Sequence, residues 1–384
     1  MTAIEANCII NENAGVMSIM KRIIENTLRS LDGERLKSKS ATVGFDGCAD
    51  SILKVIKKRG SDGVEYFNTM SEFAAFVSDK NGVSCSIELD EVMSKPGGNC
   101  AIFAESISML GVCTSAVGLF GAGRINDEFL KLTELCELYS YGNNPFALAL
   151  EFDNGKVILS PGVKLNADAW SSIQAAVRNE NMHRVFARAE ILALLNWSEL
   201  EFSTRIWSGL LELLKNFPDH EKQIIIDLAD CSRNSKAEID ELLLIIDGLS
   251  KLRSVILSFN ENEALVMAKH FGLPQTDYNT MGESLYNEIK VQTIVIHSAK
   301  ACYTFEAGKV FTAPTQFNPE PKLLTGAGDN FNSGYAIGRL LGLDADQCNV
   351  LGNSVSSYYV KHCASPSLPQ LMQHIKLWYE SLRN

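Results

Sequence analysis

A chain of 384 residues, 46% apolar and 21% charged, is long enough to bury a large core, either as one α/β domain or as a domain with a smaller appendage. A net charge of −11, with no basic run longer than Lys57-Lys58-Arg59, argues against a nucleic-acid-binding or anionic-membrane surface. Ten scattered cysteines without a C-x-x-C pair fit reduced thiols in a cytoplasm, six dispersed histidines give no zinc-ligand spacing, and no segment is apolar for the ~18 residues of a membrane span.

Val16, Ile19, Met20, Ile23, Ile24, Thr27, Leu28 and Leu31 repeat at helical spacing until Asp32-Gly33 breaks the pattern. Residues 1–40 are therefore expected to form a helical extension that packs on the domain at 41–384 or on a partner subunit. Ala41–Phe45 reads as a buried strand running into Asp46-Gly47-Cys48-Ala49-Asp50. Two carboxylates at the carboxyl end of a strand suit recognition of hydroxyls, because an ionised Asp only accepts hydrogen bonds. Asp46 serves equally well as a turn residue before Gly47.

Val64–Phe67 predicts a strand, 70–80 a short helix and Cys85–Leu89 a further strand. Gly97-Gly98-Asn99 then opens a helix over 100–110 that stops at Gly111. Paired glycines let backbone approach a ligand closely, and Asn99 offers both a donor and an acceptor. The runs Phe146–Phe152 and Lys156–Ser160, joined by Asp153-Asn154-Gly155, have the chemistry of a hairpin. From 168 onward, apolar strands at 191–197, 223–228, 254–259 and 293–297 alternate with helical segments, which implies a mainly parallel sheet covered on both faces.

Two stretches carry chemistry. In Asn260-Glu261-Asn262-Glu263 a strand ends in N-x-x-E, a hard-oxygen set suited to Mg²⁺ and equally a capping box at a helix start. In Thr325-Gly326-Ala327-Gly328-Asp329 two glycines sit just before a helical pattern. Their amides and the positive helix end suit a phosphate, and a carboxylate in the first turn can take a hydroxyl proton beside it.

Gly326 to Asp329, with Phe331 and Gly334, resembles the second signature of the PfkB (ribokinase-like) carbohydrate kinases, G-A-G-D-x-F-x-x-G. Gly97-Gly98-Asn99 with Ala101, Ala104, Leu110 and Gly111 resembles the first, although Ile102 stands where an asparagine is usual. Four landmarks fall in the family's order over residues 41 to 365: Asp46/Asp50, Gly97-Gly98-Asn99, Asn260/Glu263 and Gly326–Asp329. The resemblance implies a three-layer α/β/α sandwich with a small β lid, assigned to about 57–96 and 143–163.

By the same resemblance the chain transfers the γ-phosphoryl group of ATP to a hydroxyl of a small sugar. Asp329 is the general base and Gly326, Ala327 and Gly328 form the anion hole. Asp46, Asp50, Gly97, Gly98 and Asn99 contact the sugar, and Asn260 and Glu263 set Mg²⁺ through water. Asn260, Ser298, Thr325, Gly326 and Gly328 contact the nucleotide, and a homodimer through the lid is one assembly the family uses. Leu323 and Leu324 replace the family's D-T, which puts a monovalent-cation site in doubt. Ile296, Ser298 and Ala301 replace its T-x-G-x-x-G on the nucleotide side. A catalytically silent sugar-binding or regulatory protein on this fold and a nucleoside kinase are the alternative readings.

Overall fold

The computed structural model describes residues 3–382 except 62, 160–167, 317 and 319; the side chains of 3–16 and of Asp50, Met93, Lys95, Ala147, Lys156 and Ile158 lie outside the description. The carboxylate of Asp50, Ser160 at the end of the expected hairpin, and 160–163 of the expected lid therefore fall beyond what is described.

The large sheet is built from β1 (Ser40–Gly44), β5 (Cys113–Gly118), β6 (Glu137–Ser140), β9 (Ile191–Leu195), β10 (Gln223–Asp227), β11 (Ser254–Asn260), β12 (Thr293–His297), β13 (Ala301–Glu306) and β14 (Lys309–Pro314). Its order is β14-β13-β12-β11-β10-β9-β1-β5-β6. Strands β12 through β6 run parallel, and β13 and β14 add an antiparallel edge.

Alternation along the buried strands supplies two separate cores. Leu192, Leu194, Ile224, Ile226, Leu257, Ile294 and Ile296 face one side, against Trp207 and Leu210 of helix Ser203–Leu214, Leu242 and Leu249 of Lys236–Ser250, and Met267 of Glu261–His270. Ile191, Ala193, Ile225, Ile256 and Val295 face the other. There they meet Phe103 and Ile107 of Asn99–Met109, Phe331 and Tyr335 of Ala327–Leu340, and Leu351 and Val355 of Ala345–His362. The result is a three-layer α/β/α sandwich. The helix Ala3–Ser30 joins this second face, where Met20 and Ile24 are buried, and it contacts Ala345–His362 and Leu368–Ser381.

A second sheet holds β2 (Cys48–Gly60), β3 (Gly63–Tyr66), β4 (Glu88–Gly97), β7 (Phe146–Phe152) and β8 (Gly155–Leu159). Its small core of Leu53, Val55, Phe67, Leu150 and Phe152 is filled out by Phe73 and Phe76 of helix Met70–Asp79.

Three elements differ from the sequence reading. Strand β2 was not anticipated, because its Lys54, Lys57, Lys58 and Arg59 are exposed and broke the apolar pattern. Strand β4 runs from Glu88 through Gly97, later than Cys85–Leu89, because Pro96 and Gly97 pair with Ala49 and Cys48 at an end of the ladder. Strand β6 is short and half-buried, too weak a signal to read. The second sheet consequently begins at Cys48, not near 57.

Candidate active site

The strands deliver their carboxyl-end residues to one edge of the large sheet: Asp46 just past β1, Asp227 ending β10, Asn260 ending β11 and His297 ending β12. There a cavity of about 290 Å³ is lined by Gly98, Asn99, Asp227, Asp230, Asn260, Glu263, His297, Thr325, Gly326, Gly328 and Asp329, among others. A larger cavity of about 500 Å³ lies at the opposite, amino ends of β1 and β5. It contains none of the expected residues, and its Arg184 is paired with Glu137.

Gly326 caps the helix Ala327–Leu340 in a left-handed conformation (φ 92°), where a Cβ would come within 2.8 Å of the Tyr359 hydroxyl and 3.2 Å of Ile102. Only glycine accepts both that backbone and that contact. The turn is pinned from below. Asn330 Nδ2 donates to the Gly326 carbonyl at 2.9 Å, and Asn330 Oδ1 accepts from Ser106 and Ser365. Tyr359 donates to the Thr325 carbonyl at 3.0 Å. One expectation is corrected here. The Ala327 amide donates to the Leu324 carbonyl at 3.0 Å and Ala327 does not line the cavity, which leaves Gly326 and Gly328 as the residues of this turn beside it, with Thr325.

Asp329 is 5% exposed, and its Oδ1 has no hydrogen-bond partner among the described residues. Burial, followed by the neighbouring Asp227, Asp46 and Glu263 carboxylates, pushes its pKa well above the usual carboxylate range, while a hydrogen bond from the Asn99 side chain pulls it back.

Asp46 is read from sequence as a hydroxyl acceptor, and in the structure both of its oxygens already accept hydrogen bonds from the protein. Oδ2 accepts from the Asn99 amide (2.9 Å) and from Asn196 Nδ2 (2.7 Å), and Oδ1 from the Cys100 amide (2.7 Å). It caps the helix Asn99–Met109 and does not line the cavity. Gly98, at φ 85°, lets it approach, since a Cβ there would lie 2.8 Å from Oδ2. Gly97 is buried as the last residue of β4, so Gly98 and Asn99 are the members of that motif on the cavity wall.

Asn260 and Glu263 both line the cavity, and they form the complete capping box. Glu263 Oε2 accepts from the Asn260 amide at 2.9 Å and Oε1 from Asn260 Nδ2 at 2.6 Å. Burial and then Asp227 raise the Glu263 pKa well above the ordinary value. Ser298 is corrected as well. It lies off the cavity and closes the β12–β13 turn, its Oγ accepting from the Lys300 (3.2 Å) and Ala301 (3.0 Å) amides.

Asp227, Asp230 and His297 are cavity residues missed from sequence. Asp227 ends the apolar run Ile224-Ile225-Ile226, and an acid at that point of a buried strand was the available signal. His297 ends β12 in the same way and stacks on Phe331 (ring centroids 4.6 Å, 25°).

Among the described residues no cluster of three or more His, Cys, Asp or Glu is arranged to hold a metal ion. Mg²⁺ keeps several waters and needs few protein oxygens, so Asn260, Glu263 and Asp227 fit it as partners of its water shell, not as a closed cage.

The layering is the ribokinase-like fold, and with the family match that follows, it makes the chain a ribokinase-like (PfkB) carbohydrate kinase. The chain belongs to the prokaryotic ketohexokinase family, whose sequence profile matches residues 20–377. It is 23% identical over 357 residues to the ketohexokinase of Haloferax volcanii, covering 90% of this chain and 95% of that protein. Among solved structures the fold is similar to adenosine kinase from Sinorhizobium meliloti (TM-score 0.61, 14% identity, 88% of this chain and 99% of that one). It is also similar to Arabidopsis thaliana ribokinase complexed with ribose and ATP (TM-score 0.57, 16% identity, 88% and 98%). Among the described residues no helix is long and apolar enough to cross a membrane.

Proposed function

We propose that this carbohydrate kinase transfers the γ-phosphoryl group of ATP to a hydroxyl of a ketohexose, with Asp329 as general base. The observation that carries the reading is the unpartnered Oδ1 of Asp329, buried at the start of a glycine-capped helix inside the cavity. The acceptor hydroxyl gives its proton to that oxygen as its own oxygen bonds to the γ-phosphorus. The bond from that phosphorus to the β,γ-bridging oxygen breaks, and ADP leaves. Gly326 and Gly328, at the positive helix end, favour the charge on the group in flight.

Asp329 must be ionised to accept the proton, and burial together with its acidic neighbours opposes that. Asn260, Glu263 and Asp227 would hold Mg²⁺ through its waters, and the bound ion would supply positive charge opposite the phosphates. Asn99 sits on the cavity wall and bonds to Asp329, so it is assigned to hold the sugar next to the base. The second sheet, entered at Cys48 just beyond Asp46, is assigned to cover the sugar. The family assignment and the Haloferax volcanii relative support the ketohexose.

A screen of ketohexoses, aldohexoses, sugar phosphates and nucleosides for ADP release tests the reading. Release with a ketohexose that is abolished in Asp329→Asn is the expected result. Turnover of Asp329→Asn at the wild-type rate refutes the base, and release with nucleosides alone refutes the acceptor.

A further inference from the structure

His297 has no role in the reaction as derived so far, yet it lies in the wall of the same cavity. Its ring is held face to face with Phe331, a residue of the glycine-capped helix, and its Nε2 is buried with no hydrogen-bond partner among the described residues. A covered polar nitrogen without a partner is costly to the fold, so it marks a place where a partner arrives. A Cβ built on Gly328 would lie 3.5 Å from its Cε1 and 4.0 Å from its Nε2, so the imidazole flanks the turn assigned to the phosphate.

The strand order decides which substrate this nitrogen faces. His297 pairs in register with Asn260 on the β11–β12 side, whereas Asp46 and the helix Asn99–Met109 stand at β1, with β11, β10 and β9 between. In the kinase reading Asn260 and the Gly326–Gly328 turn serve the metal and the phosphates, so a nitrogen beside both faces the phosphate donor.

We propose that His297 is a specificity-determining residue of the phosphate donor, its ring N–H donating to a phosphate oxygen of the bound nucleoside triphosphate. This rests on the kinase reading above. Stacking on Phe331 sets the ring before the nucleotide arrives, so the hydrogen bond forms without ordering a side chain.

Titration calorimetry on the full chain tests it with two probes, a non-hydrolysable triphosphate analogue of ATP and adenosine. His297→Phe keeps an aromatic ring against Phe331 and removes the donor, whereas His297→Gln keeps an N–H. The expected result is that His297→Phe binds the triphosphate analogue about tenfold or more weakly, the size of one hydrogen bond to a charged group. Adenosine affinity and sugar KM should stay at wild-type values, with His297→Gln restoring part of the loss. Equal losses for triphosphate and adenosine, or no loss for either, overturn the proposal and leave His297 a packing residue. A wild-type protein that binds neither probe at millimolar concentration overturns the kinase reading together with it, a result separable from one in which wild type binds and the variant matches it.

Discussion

Asn332 Nδ2 donates to Asp227 Oδ2 at 2.7 Å, joining residues 105 apart in the chain, and Asn332 Oδ1 accepts from Ser258 at 2.6 Å. The other oxygen of Asp227 accepts from the Ala229 amide at 3.0 Å. The amide of Asn332 thus ties the end of β10 to β11 and to the helix that carries Asp329. Asn332→Leu should cost about 2–3 kcal/mol, because it strands a buried carboxylate and a buried hydroxyl. Urea unfolding measures it, and a midpoint equal to wild type would contradict the account.

Asp329→Asn should stabilise the free protein while removing turnover. Burial and three acidic neighbours hold the folded pKa of Asp329 well above its ordinary 3.8, so the folded chain binds this proton more tightly than the unfolded one. Stability from this group is therefore lost as pH rises from the ordinary value through the raised one. The thermal gain of the variant over wild type should accordingly be larger near pH 8 than near pH 5. A gain that does not change with pH would count against the raised pKa.

Asp46→Ala should act on two quantities at once. Losing the acceptor for the Asn99 and Cys100 amides uncaps the helix Asn99–Met109, which lowers stability by about 1–2 kcal/mol. It also displaces Asn99, which should raise the sugar KM by more than tenfold. A rise in KM with unchanged stability would instead favour direct contact between Asp46 and the sugar.

Glu263→Gln should raise the Mg²⁺ concentration needed for half-maximal rate several-fold while leaving the fold in place, since one amide oxygen can still accept from the Asn260 backbone. Nucleotide affinity measured without Mg²⁺ should not change. A loss of affinity there would place Glu263 against the nucleotide itself.

Ser298→Ala removes the acceptor for two turn amides, so it should cost about 1 kcal/mol of stability and leave the nucleotide KM unchanged. A KM effect larger than threefold would return Ser298 to the nucleotide site.

The large sheet was legible because its strands are apolar on both faces and end in punctuating polar residues, as at Asn260. The second sheet was legible only in part. The hairpin β7–β8 announced itself through Asp153-Asn154-Gly155, but β2 carries four exposed cations that hide an amphipathic strand. At the site, Gly326, Gly328 and Asp329 follow from local chemistry, and Asn260 with Glu263 satisfies the capping and cavity-lining readings together. Asp46 shows where local chemistry stops. A carboxylate after a strand looks the same in sequence whether it meets solvent or a helix start 53 residues later, and only the packing of the Gly98 backbone against it tells them apart. Asp227 and His297 were passed over because a lone polar residue at a strand end carries no spacing signal.

The two ribbons β2 and β4 leave the large layer side by side, at Gly47 and at Gly97-Gly98, and Cys48 pairs with Gly97 where they part. A Cβ on Gly47 would come within 2.6 Å of the Leu119 carbonyl, and Gly98 holds a backbone that side chains resist. Rocking of the small sheet over the large one would bend these two crossings at their glycines, and Gly98 directly precedes Asn99. Swinging that flap would tilt the Asn99 amide on the cavity wall directly, so that in the proposed kinase access and alignment become a single mechanical coordinate.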